Sequence, residues 1–372
     1  MRVCQSIVLM FCLGFPRLGL PQQPPDGAGL TAQQASPSSP ITAQSAGRTS
    51  VGAEKKEGRI KLDVVVTDKR GHPVSGLDLA DFTLLDNHHP TPILSFHPFH
   101  GTPQAANSPV EVILLVDALN FSYRDVTFFT QEMEKFLLQN DGHLAEPVSV
   151  FSLVYDGVSA QPRPSMDGKV EAAELESMDR ILRRTAREGA DGWDSFLQSI
   201  QLLDRIAQAE AQKPGRKLLI WGGPGWPLFD VQAMGGILPP KIEEQVFASI
   251  VELSTRLRQA RITLYSVTLG NYVRNDYFEM FLKGVTKPND AAPANLTLGV
   301  LAEQSGGLVL GPDNNMTAQI NRCVADASAF YTITFDPPPA HKPNEYHDLE
   351  MKIDRPGLKL RTRTGYYNQP GK

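Results

Sequence analysis

Val110-Glu-Val-Ile-Leu-Leu-Val-Asp117-Ala-Leu-Asn120-Phe121-Ser122 decides how the rest of this chain is read. An almost unbroken apolar run, rich in Val and Ile, leads straight into an aspartate. A strand with one wet face alternates polar and apolar residues. This one has no polar face, which is how a strand covered on both sides of a parallel sheet reads. Ligands of open α/β sheets sit beyond the carboxyl ends of the strands, so Asp117 stands where chemistry would be placed.

Downstream the pattern alternates between strand and helix. Val126 to Leu138 carries Phe128, Phe129, Met133, Phe136 and Leu137 on a helical stripe. Pro147 to Tyr155 is a second buried strand, with Asp156-Gly157 turning into an edge hairpin. Amphipathic helices follow over Glu171–Ala186 and Trp193–Ala211, then a third buried strand over Gly215–Trp221. A long helix over Ile242–Ala260, a strand over Ile262–Leu269, a helix over Leu298–Gln304 and a short strand at Leu308–Leu310 complete the series. Alternating strands and helices with short links predict a doubly wound, mostly parallel α/β sheet.

Upstream, Ile60, Leu62, Val64 and Val66 alternate with Lys61, Asp63, Val65 and Thr67, a period-two strand with one buried face. Short strands are expected at Val74–Leu77, Phe82–Asn87 and Ile93–His97. After a helix over Thr317–Ala327, strands return at Phe330–Phe335, Leu349–Ile353 and Leu358–Arg363. Neither flank has enough residues for a core of its own. The economical expectation is one small antiparallel β-sandwich formed by the N- and C-terminal flanks, with the α/β domain inserted between them. The expected boundaries are 58–105 for the first part of the sandwich, 109–311 for the α/β domain, and 312–372 for a connecting helix and the second part.

At 372 residues the chain has room for about two domains. It is 41% apolar and 21% charged, with a net charge of −5 and no basic block along the sequence. That balance gives no reason to expect a nucleic-acid partner. Residues 1–21 read as an export signal: Arg2, then an apolar stretch from Val3 to Phe15 that falls short of the ~20 residues a membrane span needs. The alternative is a buried N-terminal helix ended by Pro16. Residues 22–57 are rich in Pro, Gln, Ala, Ser, Gly and Thr and read as a disordered linker. Removing the signal would take Cys4 and Cys12 with it and leave Cys323 alone, so the mature chain is expected to hold together without an internal disulfide. No other apolar run reaches membrane-spanning length.

Over residues 58–368 the chain resembles the bacterial von Willebrand factor A-related proteins typical of Acidobacteria. The resemblance is carried by Leu62-Asp-Val-Val-Val-Thr-Asp-Lys-Arg-Gly71, Gly76-Leu with Asp81-Phe82 and Leu85-Asp86, and Leu114-Leu-Val-Asp-Ala-Leu-Asn120. It continues in Leu264-Tyr-Ser-Val267, Leu301-Ala with Ser305-Gly-Gly307, Tyr331, and Pro356-Gly-Leu with Arg363-Thr-Gly-Tyr366. It implies a secreted protein with a von Willebrand factor A fold, a fold used mostly for adhesion and assembly. Many such domains hold Mg²⁺ at the top of the sheet to capture a partner's carboxylate.

The metal motif of that family opens with Asp-x-Ser-x-Ser. Here Asp117 is in place, but Leu119 and Phe121 stand at the serine positions. In the second loop Ala190 replaces a threonine beside Asp191, and in the third Gly222 replaces an aspartate. A hard divalent cation needs several oxygen ligands, so the expectation is a degenerate site with no metal, Asp117 accepting loop hydrogen bonds or capping the next helix. The alternative is a rearranged cation site, with Mg²⁺ held by Asp117, Asn120 and Asp191.

Other candidates are weaker. His88, His89, His97 and His100 sit around prolines with no matching Cys or carboxylate pattern, and are expected in solvent. Gly222-Gly-Pro-Gly-Trp-Pro227 lacks the Lys-Ser/Thr ending of a nucleotide loop, and its prolines remove N–H donors. No Gly-x-Ser-x-Gly or His-Glu-x-x-His occurs, and Cys323 reads as a small buried thiol. What remains is the carboxyl-end rim. Phe121, Trp193, Trp226 and Phe229 in neighbouring loops would gather aromatic residues of the kind that anchor protein interfaces, unless those rings pack on one another. The expected function is therefore an exported, secreted or periplasmic, non-enzymatic adhesion or assembly module without a cofactor, binding another protein or a cell-envelope component. The alternatives are an envelope hydrolase with its site at the same rim, and a cation-dependent adhesin.

Overall fold

The computed structural model describes residues 58–101, 110–155, 157–160, 163–188, 192–226, 238–268, 276–311, 313 and 315–370. The expected signal (1–21) and linker (22–57) lie outside the described residues. In chain order, β1 (Ile60–Thr67), β2 (Phe82–Asp86), β3 (His89–Pro90) and β4 (Ser95–His100) precede β5 (Val110–Asp117). Then come α1 (Tyr123–Leu137), β6 (His143–Val154), β7 (Gly157–Ala160), β8 (Ser165–Asp167), α2 (Gly168–Glu188), α3 (Gly192–Glu210) and β9 (Arg216–Gly222). After these run α4 (Pro240–Gln259), β10 (Ile262–Val267), α5 (Asp276–Phe281), α6 (Leu298–Gln304), β11 (Val309–Leu310) and α7 (Met316–Val324). Four strands close the chain: β12 (Ala329–Phe335), β13 (Glu345–Ile353), β14 (Lys359–Arg361) and β15 (Gly365–Asn368).

The architecture is mixed α/β. A seven-stranded sheet runs β11-β10-β9-β5-β6-β7, with β8 also paired to β6. Its pairs β5–β6, β5–β9, β9–β10 and β10–β11 are parallel, and only the β7 and β8 pairings at one edge are antiparallel. Every residue of β9 and β10 is buried, as continuous apolar strands require. Alternation along β5 sends Val112, Leu114 and Val116 to one face. There they share a core with Phe129 and Met133 of α1, Leu175 and Met178 of α2, and Ile320 and Cys323 of α7. Residues of the opposite parity, Trp221 among them, face α3, whose Phe196 meets Trp226 edge-on at 6.2 Å. Trp226 in turn meets Trp221 edge-on at 5.0 Å.

The chain's two flanks pair strand to strand. β1 runs antiparallel to β12 and β14, giving the sheet β14-β1-β12-β4, and β13 runs antiparallel to β2 and β15, giving β15-β13-β2-β3. Ile60, Leu62, Val64, Val66 and Tyr331 of the first sheet share a core with Phe82, Leu84, Leu349 and Tyr366 of the second. Beyond the exposed Lys61, the other face of β1 is not open to water as its period-two pattern suggested. Val65 joins the core of the parallel sheet, and Asp63 is held by Arg261, the residue that leads into β10, at 3.1 and 2.5 Å. The β14-β1-β12-β4 sheet thus supplies side chains to two cores. Val74–Leu77 is not a strand: Val74 N–H bonds Val66 O at 2.8 Å, and Leu77 packs its side chain into the sandwich core. No helix among the described residues is long and apolar enough to cross a membrane.

Candidate functional site

At the carboxyl end of β5 the alternation that buries Val116 on one face turns Asp117 to the other, toward α3. Register places Trp221 opposite Leu115, so its indole lies on the same face as Asp117. Asp117 is fully buried. Asn120 N–H donates to Oδ1 at 3.0 Å, and Asn120 Nδ2 donates to Oδ1 at 2.9 Å and to Oδ2 at 2.8 Å. The same amide nitrogen donates to Ser199 Oγ of α3 at 2.9 Å, and Ser199 passes its own proton to Ser195 O at 2.8 Å. Trp221 Nε1 completes the shell, donating to Oδ2 at 2.9 Å. Burial raises the pKa of Asp117, and the hydrogen bonds from Trp221 and Asn120 oppose that rise. The Trp226 indole acts in the same direction as those bonds, although its buried Nε1 forms no hydrogen bond of its own.

The loop after Asp117 is closed by backbone bonds, Ala118 N–H to Leu153 O at 3.1 Å and Phe121 N–H to Asp117 O at 3.2 Å. Ser122 is spent as the N-cap of α1: its Oγ accepts from Asp125 N–H at 3.3 Å and donates to Asp125 Oδ2 at 2.6 Å. Gly222, where an aspartate was expected, has no room for any side chain. A Cβ there would stand 1.8 Å from Cζ of Phe129. Gly223 lies beside Asp117, and its N–H is committed to Val267 O at 3.1 Å.

Of the residues singled out in the sequence, Asp117 and Asn120 are brought together directly. Asp191 and Phe229 lie outside the described residues. The aromatic rim is only partly a surface. Phe121 is 4% exposed and packs on Phe129 at 5.6 Å, and Trp226 is 5% exposed between Trp221 and Phe196. These two rings are therefore wedges between sheet and helices, where their apolar area is already used. Trp193 is half-buried against Phe196 at 5.5 Å. His88, His89, His97 and His100 are exposed. Cys323 is buried and burial pushes its thiol pKa far up. Among the described residues no three His, Cys, Asp or Glu side chains converge as a metal-binding group.

Two features were missed. Ser195 and Ser199, four apart on a helix face otherwise filled by Phe196, Ile200 and Leu203, are buried polar groups. Serines inside an apolar stripe were the available signal. Among the described residues, exposed aromatic side chains near this end include Tyr123 (36% exposed), at the first turn of α1, and Tyr155 (56%), just past β6. Arg183 of α2 stands 5.9 Å over the Tyr123 ring and is itself paired with Asp179 at 2.6 Å.

No protein-family model matches the chain, and no curated protein matches it in sequence. Solved structures to which the chain is similar include the human COPII-coat protein Sec24c (9% identity, TM-score 0.35, covering 74% of this chain and 46% of that one). The pilus adhesin SpaC from Lactobacillus rhamnosus GG is similar at 10% identity and TM-score 0.35, over 80% of this chain and 43% of that one. The TFIIH p34 N-terminal domain is similar at 8% identity and TM-score 0.27, over 58% of this chain and 96% of that one. The chain spans less than half of Sec24c and of SpaC, and likeness at this level decides neither family nor activity.

Proposed function

We propose that this chain is an exported protein-binding or assembly module of von Willebrand factor A type that works without a divalent cation and without catalysis. One observation carries the reading: the Asn120 amide nitrogen lies between both Asp117 oxygens and Ser199 Oγ, at 2.8–2.9 Å from each. That is the space a cation would take, filled by a neutral donor whose protons satisfy the oxygens. A divalent ion would have to expel the amide and still find several more oxygens, while Leu119 and Phe121 bring none and Gly222 has no side chain. Asp117 then serves to fasten the β5–α1 loop to β9 and α3. The rim left for a partner is formed around Tyr123 and Tyr155, and the partner class is another protein or a cell-envelope component.

A thermal-shift titration with Mg²⁺, Mn²⁺ and Ca²⁺ tests the reading, alongside Asp117→Ala. A ligand of the folded state raises the midpoint as its concentration passes its dissociation constant. The expected response is flat for all three ions. A saturable rise that Asp117→Ala abolishes would replace this reading with cation-dependent capture. Screening against ester, peptide and glycoside substrates tests the absence of catalysis. Turnover lost on substitution of Tyr123 or Tyr155 would make the rim an active site.

A further inference from the structure

We propose that an extended segment of a partner protein adds to the edge of β13 as a β-strand, in a cavity of about 380 Å³ where the free edges of β11, β13 and β14 converge. The cavity opens beside β11, at the far edge of the parallel sheet from Tyr155. It is therefore separate from the rim, and the inference does not rest on the Asp117 site.

Ladder parity fixes where the main-chain groups of each edge point, because successive residues of a strand turn their N–H and C=O to opposite sides. At β11, Leu308 O and Leu310 O accept from Ser266 and Thr268 N–H at 2.9 Å. Both face β10, so Val309 turns its N–H and C=O away from it. In β14, Leu360 stands opposite Val66 of β1. Val66 O accepts from Val74 N–H at 2.8 Å on the other side of β1, so Leu360 also turns its groups outward. In β13, Asp348 O accepts from Asn87 N–H at 2.8 Å and Asp354 N–H donates to Asp81 O at 2.9 Å, so the even positions face β2. The odd positions face the other way. Leu349 N–H donates to Thr364 O at 2.8 Å, and Met351 points to the same side two residues on. β15 pairs with β13 only from Glu345 to Asp348, and among the described residues no further strand covers that side.

Val309, Met351 and Leu360 all line the cavity and all are half-buried. Main-chain groups drawn away from water need partners. An extended chain offers donors and acceptors at the spacing of a strand edge, and here it would continue the place of β15 along β13. Leu308, Leu349 and Leu360 add apolar contacts for its alternate side chains. The charged side chains of the lining are already engaged. Arg361 meets Asp326 at 2.7 and 2.8 Å and Gly306 O at 3.1 Å, and Arg363 donates to Ile262 O at 3.4 Å. Glu350 pairs with Lys352 at 3.4 Å, and Glu303 has a partner of its own. Recognition is thereby left to main-chain hydrogen bonds and apolar contact, which is how strand addition works.

The test is hydrogen exchange read at single amides of the purified chain, alone and titrated with the acetylated and amidated peptide Thr-Val-Thr-Val-Thr. The control is the same peptide N-methylated at every residue, which has no main-chain donors. In the free chain the amides of Val309, Met351 and Leu360 should exchange faster than the ladder amides of Leu310, Glu350 and Arg361. The peptide should protect Met351 saturably and, by excluding water, Val309 and Leu360. The N-methylated control should bind about tenfold more weakly or worse. Val309→Trp, at a half-buried position of the lining, should fill the cavity and abolish the protection while the chain stays folded. Slow exchange of the three amides without peptide would show the edges to be paired already and overturn the proposal. So would absent protection, equal binding of the control, or unchanged binding by the variant. Protection that grows with protein concentration alone would give the edge to a second copy instead of a partner.

Discussion

A carboxylate inside a protein must either find donors or give up its charge, and two acidic residues here take different routes. Asp117 has a full shell of donors. Glu171, in the first turn of α2, is also without exposed surface, yet burial raises its pKa to about 7 against a hydrogen bond from the backbone at Val150, with the charge of Glu174 adding to the rise. A folded-state pKa above the unfolded value of about 4.5 means the folded chain holds a proton that the unfolded chain has lost. The stability from this group is therefore complete below pH ~4.5 and is lost as pH rises through ~7. Glu171→Gln should be more stable than the parent at pH 8, by about 3 kcal/mol, and the two should converge near pH 4.5. Urea denaturation at both pH values measures the difference, and a gap of equal size at pH 4.5 would assign it to packing instead.

At the scale of elements, β9 and α1 meet closely at Gly222, which lies under the Phe129 ring. The absence of a side chain at 222 lets the helix lie close to the strand end. Gly222→Ala should destabilise the fold by about 3 kcal/mol or more, because overpacking here displaces a fully buried ring. Phe129→Ala should cost about 3–5 kcal/mol alone. The double variant should cost clearly less than the sum, since the cavity left by the ring accepts the added methyl. Strict additivity in denaturation would show that the two positions do not share the contact. The strands that were legible in advance, β5, β9 and β10, are those buried along almost their whole length on both faces. β15 was not legible, because Gly365-Tyr-Tyr-Asn368 has no pattern of its own. It is a strand because Tyr366 donates to Asp86 at 2.6 Å and stacks on His347, while Tyr367 donates to Val285 O at 2.9 Å.

Across the whole molecule, the parallel sheet and the sandwich are joined by charge as well as by shared apolar surface. Asp326, 1% exposed, takes Arg361 of β14 at 2.7 and 2.8 Å and the hydroxyl of Tyr265 in β10 at 2.6 Å, while its own carbonyl accepts from Arg216 of β9 at 2.8 Å. Asp326→Asn leaves the partly buried Arg361 without its counter-charge and should cost about 3 kcal/mol. Sandwich and sheet should still unfold in one transition at a lower midpoint, because shared apolar surface also joins them; two separated transitions would show that the charge joint alone couples them. The sequence by itself determined the apolar strands, the amphipathic helices and their order, because periodicity and burial are properties of consecutive residues. It also placed Asp117 at a strand end and showed that the oxygen-bearing neighbours of a cation motif were missing. Only the tertiary structure decided what replaced them. Asn120, Ser199 and Trp221 meet at Asp117 from separate elements, and Phe121 and Trp226 turn inward because sheet and helix close over them. Side-chain chemistry at a site depends on distances in space, and those are set only when distant segments pack.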